Sequence, residues 1–160
     1  MDLKAAKQNK IEVHKEQLEA YERHADDLVG KREHTDRMFD FMKNQVHDIS
    51  DLKQIEEAKD ASDSRFRETF REQVEAPTEE IKKELDKDSD ELFAESRNVM
   101  NVAERAEGYG VSDDVVSKLK SELGKSANEY QKMGQKARDT IAKSDEKVNA
   151  SRLRVYGMSK

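Results

Sequence analysis

The sequence predicts an all-α protein, an elongated antiparallel helical bundle or coiled coil of three to four helices. Three observations predict this fold. The 160 residues include only one Pro and six Gly, too few for turn-rich all-β folds. Apolar residues recur at alternating intervals of three and four, the spacing of a helix seam. Interruptions of that spacing near Ser62, Pro77 and Gly108–Gly110 divide the chain into helices.

The first helix is predicted over residues 3–57. Its apolar stripe is Ile11, His14, Leu18, Tyr21, Ala25, Leu28, Phe39, Met42, Val46 and Ile49. Two interpretations stay open at Gly30. The helix either continues through it, or ends at Gly30 as a C-cap and restarts with Thr35-Asp36 as an N-cap. Because the stripe keeps its phase on both sides of Gly30, the continuous helix is favoured.

Charged residues then replace the apolar stripe, and a change of structure is expected. Ser62-Asp63-Ser64 offers capping side chains, so a loop or bend is predicted over residues 58–64. A short helix is predicted next, over residues 64–75. It carries Phe66 and Phe70 on one face, since they are four residues apart.

Two further helices complete the predicted fold. A helix over residues 77–107 begins or kinks at Pro77, because the residue before proline avoids helical geometry while proline fits the first helical position. Gly108-Tyr109-Gly110 is the strongest break in the chain. Ser112 is the expected N-cap of a last helix over residues 112–155. The two helices that flank this turn are expected to pair as an antiparallel hairpin.

The predicted domain is a single helical one over residues 1–160, and its core is thin. Many seam positions hold small, polar or charged residues. Each buried Leu or Phe contributes roughly 1.5–3 kcal/mol, against a cost of about 1–2 kcal/mol for each ordered backbone residue. We therefore expect the chain to be an oligomer or to bind a protein partner, either itself or another helical chain.

The charge is unevenly distributed along this acidic chain, whose formal net charge is −6. Residues 51–110 contain 10 basic and 18 acidic residues, whereas residues 111–160 contain 11 basic and 7 acidic ones. Either the oppositely charged helices lie side by side, or the basic helix meets an acidic partner. The overall negative charge argues against nucleic-acid binding.

The residues that usually carry chemistry lack the required patterns. Without Cys there is no disulfide, thiolate metal site or cysteine nucleophile. No Glu stands three residues before any histidine, as a di-iron site requires, and no His-Glu-x-x-His motif is present. The histidines are His14, His24, His34 and His47. The sequence therefore predicts no enzyme, no metal and no cofactor.

One acidic segment imitates the start of a calcium loop. Asp86-Lys87-Asp88-Ser89-Asp90 places carboxylates at alternate positions. The loop requires Gly at its sixth position and Glu at its twelfth, and this chain has Glu91 and Arg97 there. An ordinary acidic helix face is the better interpretation.

The first functional hypothesis is a noncatalytic helical interaction protein, acting as a scaffold or adaptor. In the first helix Phe39 lies on the apolar stripe, whereas Phe41 lies on a different face. One narrow stripe cannot bury both, which makes this segment a candidate for contact with a partner. The candidate partner-binding residues are Met38, Phe39, Phe41, Met42, Phe66 and Phe70.

An alternative is peripheral binding of a lipid surface by the amphipathic helices, although Trp is absent and Phe is scarce.

A further alternative comes from the turn before the last helix. Tyr109-Gly110-Val111-Ser112-Asp113 resembles the Tyr-x-x-x-Asp/Glu signature of helical-hairpin substrates of bacterial type VII secretion systems. That family also carries Trp-x-Gly in its hairpin turn, and this chain has no Trp. The resemblance implies a secretion-associated role, as a substrate or a targeting partner, in which Tyr109 and Asp113 form the export motif.

The sequence also indicates a compartment. The N-terminus shows no apolar segment of a cleavable signal peptide, and no apolar run approaches the ~20 residues of a membrane span. We expect a cytoplasmic protein, or one exported without a cleavable signal peptide.

Overall fold

The computed structural model describes residues 3–157, and this part of the chain is helical with no strand. The all-α prediction is therefore confirmed. The elements are α1 (Leu3–Gln45), α2 (Ile49–Phe70), a π-helical turn (Arg71–Glu75), α3 (Ala76–Glu104), a 3-10 helical turn (Ala106–Tyr109) and α4 (Asp113–Val155).

Helix α1 runs through Gly30 without interruption and ends at Gln45 rather than near residue 57. A methyl group added at Gly30 would meet no atom within 4 Å, so no close packing requires the glycine. The first break lies at residues 46–48. There Asp48 caps α2, since its carboxylate accepts a hydrogen bond from the Ser50 amide at 3.0 Å.

Helix α2 continues through residues 58–64, where the sequence predicted a loop or bend. Ser62 is buried, and Asp63 pairs with Arg32 of α1 at 3.0 Å and with Lys59 at 3.5 Å. Of the side chains that suggested helix caps, Asp63 is instead occupied by ion pairs with α1 and with its own helix. Tertiary contacts have here outweighed local capping preference.

The helical path also continues past Pro77, where a new helix or a kink was expected. Proline cannot donate a hydrogen bond to the carbonyl four residues earlier, and the chain accommodates this with the π-helical turn. The Ala76 amide donates to the Arg71 carbonyl, five residues back. The Thr78 hydroxyl then donates to the Val74 carbonyl at 2.7 Å. A single wide turn thus replaces the expected helix boundary.

The predicted break between the last two helices is present. Gly110 has φ of 72°, a left-handed conformation that glycine adopts without strain. Helix α4 begins at Asp113, and the Ser112 carbonyl accepts the Val116 amide at 3.0 Å, as expected at an N-cap position. A turn therefore separates α3 from α4 where the sequence predicted the break.

The chain divides into two compact units. The described residues of segments 1–15 and 82–142 form the first unit. It buries Ile11, Leu85 and Leu92, and α3 contacts α4 where the Ser89 hydroxyl donates to the Gly134 carbonyl at 3.0 Å. Small residues therefore allow close helix packing in this unit.

The described residues of segments 16–81 and 143–160 form the second unit. Its core cluster is contributed by α1, α2 and α4 and by the π-helical turn. The members are Ala25, Leu28, Val29, Phe70, Val74, Val148 and Val155, with Phe66 and Tyr156 packed against them. The Phe70 and Tyr156 rings meet edge to face at 6.1 Å. Both candidate phenylalanines of α2 thus belong to this unit.

Replacing Asp48 with alanine should destabilise the second unit, because the N-cap of α2 is lost. We expect the free energy of unfolding to fall by about 0.5–2 kcal/mol, measured by urea denaturation followed by circular dichroism. Asp40→Ala, which removes an exposed aspartate of α1, is the matched control. Equal stability of the Asp48 variant and the wild type would show that the cap contributes nothing.

Candidate functional site

The predicted partner-binding residues of α1 lie next to the break between α1 and α2. We name the segment from Met38 to Ile49 the α1–α2 corner. Phe41 is 60% exposed and Ile49 is 82% exposed, while Met38 and Met42 are also exposed. Phe39 is half-buried. The corner therefore presents four large apolar side chains to solvent within one short stretch of chain.

The two candidate residues of α2 are placed differently. Phe70 is completely buried in the core cluster of the second unit, so the chain's own helices cover it and it offers no surface to a partner. Phe66 is half-buried and packs against the same cluster. Of this pair, only Phe66 reaches the surface.

A groove lies between α1 and α2 in the second unit, with a volume of about 250 Å³. We name it the α1–α2 groove. Its lining residues are Leu28, Thr35, Ser62, Arg65, Phe66 and Thr69. Leu28 is buried, Phe66 half-buried and Arg65 exposed. The groove thus combines an apolar base with a cationic side chain at its edge.

A second pocket, of about 370 Å³, lies between α1 and α4 in the same unit. It is lined by Glu19, Glu22, Arg23, Asp26, Lys147, Ala150, Ser151 and Arg154. Lys147 pairs with Glu22 at 3.5 Å, and Ser151 donates to Asp26 at 3.3 Å. Burial raises the pKa of the Glu22 carboxyl, and Lys147 offsets only part of this effect. Within the lining, Glu22 is thus occupied by Lys147 and Asp26 by Ser151.

Glu22→Gln should make the chain more stable at neutral pH and leave its stability unchanged in acid. The pKa of Glu22 is higher in the folded chain than in the unfolded chain. At pH values above that raised pKa, the ionised carboxylate therefore destabilises the folded chain. The penalty disappears below the unfolded value of about 4.3. We expect a gain below about 1 kcal/mol, measured as urea midpoints across a pH series. Glu16→Gln is the control, and a gain that persists below about pH 4 would contradict the assignment.

Arg32 lies in phase with the apolar stripe of α1, and no role for it was predicted from the sequence. Arg32 is 3% exposed. Its guanidinium contacts Asp36 at 3.2 Å, Asp63 at 3.0 Å and the Val155 carbonyl at 2.8 Å. It thereby joins α1, α2 and the C-terminal end of α4. The signal in the sequence was an arginine on an apolar stripe with an aspartate four residues later.

The titratable residues form no metal site in the part of the chain that the structure describes. Asp88, from the segment that imitates a calcium loop, is buried inside α3. It accepts hydrogen bonds from Lys7 at 2.9 Å and Lys10 at 3.3 Å. These lysines join α1 to α3 in the first unit, which gives the buried carboxylate a structural role.

Tyr109 and Asp113 lie on either side of the turn between α3 and α4. Tyr109 ends the 3-10 helical turn and is exposed, and Asp113 is the first, exposed residue of α4. The left-handed Gly110 stands between them. Both side chains are therefore accessible to a receptor.

None of the described helices is long and apolar enough to cross a membrane. Comparison of the chain with protein-family models, curated proteins and solved structures finds no match. What the protein binds is therefore inferred from its own surfaces.

Proposed function

We propose that this chain is a noncatalytic helical interaction protein that binds another helical chain, or a second copy of itself, through the α1–α2 corner. The observation that carries the proposal is the exposure of Met38, Phe41, Met42 and Ile49. Adjacent exposed apolar side chains are typical of interaction surfaces. Burying each of them contributes roughly 1.5–3 kcal/mol before the cost of association is counted.

The proposed arrangement of the helices is an antiparallel bundle or coiled coil of three to four helices. Side-chain contacts inside each unit support it. In the first unit Ser96 of α3 donates to the Ala127 carbonyl of α4 at 2.7 Å. In the second unit Arg152 of α4 pairs with Glu75 of the π-helical turn at 2.6 Å. Rigid packed helices would hold the exposed corner in one conformation for a partner.

Self-association is the first form of the proposal to test. We compare the wild type with a triple variant, Met38→Ser, Phe41→Ser and Met42→Ser, by sedimentation velocity over a concentration series. All three side chains are exposed, so the variant should keep its helical circular dichroism spectrum. Loss of a concentration-dependent oligomer in the variant alone would support binding through the corner.

Binding to another chain is tested by affinity capture from the native source with the wild type and the triple variant as baits. A second triple variant, Val13→Ser, Val102→Ser and Val115→Ser, removes exposed apolar side chains from the first unit and serves as the matched control. The proposal expects a protein retained by the wild type and by the control but not by the corner variant. A monomeric wild type that also captures no corner-dependent protein would contradict the proposal.

The exposed Tyr109 and Asp113 favour a second candidate function, export as a substrate or targeting partner of a type VII-like secretion system. Tyr109→Ala combined with Asp113→Ala should abolish export when the chain is expressed beside such a system. Val111→Ala, between the two motif positions, is the control. Secretion of the double variant at the wild-type level would eliminate this candidate.

A further inference from the structure

We propose that the α1–α2 groove binds an amphipathic helix whose apolar stripe is flanked by acidic residues. This inference rests on the proposed function, since it names the chemistry of the partner for which the corner is exposed. Three features of the second unit support it: the shape of the groove, its position on the same side of α1 as the corner methionines, and two nearby cations without ion-pair partners in the described part of the chain.

The groove has the apolar base that an inserted side chain requires. Leu28 from α1 and Phe66 from α2 line it, and both also contact the core cluster of the second unit. Thr35 and Thr69 complete the lining with short polar side chains that leave the space open. About 250 Å³ is enough for one or two apolar anchors of a helix.

The groove and the methionines of the α1–α2 corner share one side of α1. Met38 and Met42 follow Thr35 by three and seven residues, so they lie on the same side of the helix. At 1.5 Å per residue, Leu28 to Met42 spans about 21 Å, or roughly four helical turns. Methionine adapts its shape to the side chains that it meets. A partner helix would thus find anchors along one surface of α1.

Two basic side chains flank this surface without ion-pair partners among residues 3–157. Arg65 lines the groove directly. Lys31 lies three residues after Leu28 and four before Thr35, on the same side of α1. Neither makes a salt bridge in the described chain, whereas the neighbouring Arg32 is fully occupied by Asp36 and Asp63. The free cations are therefore available to a partner's carboxylates.

Charge complementarity selects the occupant. An arginine at the edge of an apolar groove binds a carboxylate with two parallel hydrogen bonds, and a lysine adds a point charge. A groove about four turns long suits a helix with acidic residues beside its apolar stripe. A lipid surface fits less well, because clusters of four to eight basic residues are typical of anionic-lipid recognition.

The test measures binding of a synthetic helix to the full chain by fluorescence anisotropy. The probe is a labelled amphipathic peptide of about five helical turns with a Leu stripe flanked by Glu, and a scrambled peptide of the same composition is its control. We expect saturable binding of the probe and at least about tenfold weaker binding by Arg65→Glu, as for loss of a charged hydrogen-bonded pair. Lys53→Glu, an exposed change of equal charge elsewhere on α2, should bind like the wild type.

Charge reversal provides the complementary test. A second peptide that carries Lys at every Glu position should bind the wild type poorly and should bind the double variant Arg65→Glu/Lys31→Glu better than the wild type. Circular dichroism confirms that each variant is folded. Equal binding of the acidic peptide by the wild type and Arg65→Glu would overturn the inference. So would binding of the scrambled peptide as tight as that of the probe.

The outcomes separate this inference from the proposed function. If the Met38/Phe41/Met42 variant loses its oligomer or partner while the acidic peptide fails to bind, the corner is a binding surface and the acidic helix is the wrong occupant. Retention on phosphatidylserine-containing vesicles without peptide binding would likewise replace the helix with a lipid surface. If the peptide binds and the acidic segment 51–110 of a second copy competes with it, the occupant is the chain itself.

Discussion

Arg32→Ala should lower the free energy of unfolding of the second unit by about 3 kcal/mol. Breaking a buried ion pair by removing one partner costs roughly 3–5 kcal/mol, and the lower end applies because Asp36 and Asp63 keep some contact with solvent. The Val155 carbonyl loses its guanidinium donor as well. Urea denaturation monitored at 222 nm would report the change as a lower midpoint at unchanged slope.

Two control variants make the result specific to the buried cation. Arg37→Ala removes an exposed arginine of α1 that makes no salt bridge within residues 3–157, and its effect should stay within about 0.5 kcal/mol. Arg32→Met combined with Asp36→Asn and Asp63→Asn removes the cation and both carboxylates of the network. It should recover much of the loss, because an apolar replacement of a buried pair is often neutral. A fall of less than about 1 kcal/mol for Arg32→Ala would show that the network is only a surface feature.

The sequence predicted the helical class because periodicity reports the face of a helix directly. The stripe that begins at Ile11 kept its phase through Gly30, and α1 is continuous there. The break at Gly108–Gly110 was also predictable, because glycine adopts without strain the left-handed conformation that Gly110 has in the turn. Signals of this kind are local: they depend only on residues within a few turns of one another.

Features decided by contacts between distant residues were not predictable. Ser62-Asp63-Ser64 looked like a capping sequence, but Asp63 is occupied by Arg32, 31 positions earlier, and the helix continues. A cap contributes only about 0.5–2 kcal/mol, so tertiary packing overrides it. Pro77 predicted a helix start or a kink, because nothing local revealed that a π-helical turn would absorb the missing hydrogen bond.

In the candidate site, too, local features were predictable from the sequence and tertiary contacts were not. Spacing correctly indicated that Phe66 and Phe70 share a face of their helix, but it carried no information on what covers that face. The structure buries Phe70 under the chain's own α1 and α4, and leaves Phe41 exposed. Whether an apolar stripe meets the same chain or a partner depends on tertiary packing, which sequence periodicity does not encode.

Phe70→Ala should be the most destabilising single truncation, with a loss of about 3–5 kcal/mol in the free energy of unfolding. Phe70 is fully buried in the core cluster of the second unit and meets Tyr156 edge to face. Its removal leaves a cavity among residues drawn from α1, α4 and the π-helical turn. Because helix packing holds the cavity open, little relaxation is expected. Urea denaturation and thermal melting would both report the loss.

Phe41→Ala is the matched control, since it deletes the same side chain from a site that is 60% exposed. Its stability should change by no more than about 0.5 kcal/mol, while binding through the α1–α2 corner should weaken. The two phenylalanines therefore separate folding from binding: Phe70→Ala should lose stability and Phe41→Ala should lose the partner. Equal destabilisation by both variants would mean that the exposed corner belongs to the core, and the proposed binding surface would have to be abandoned.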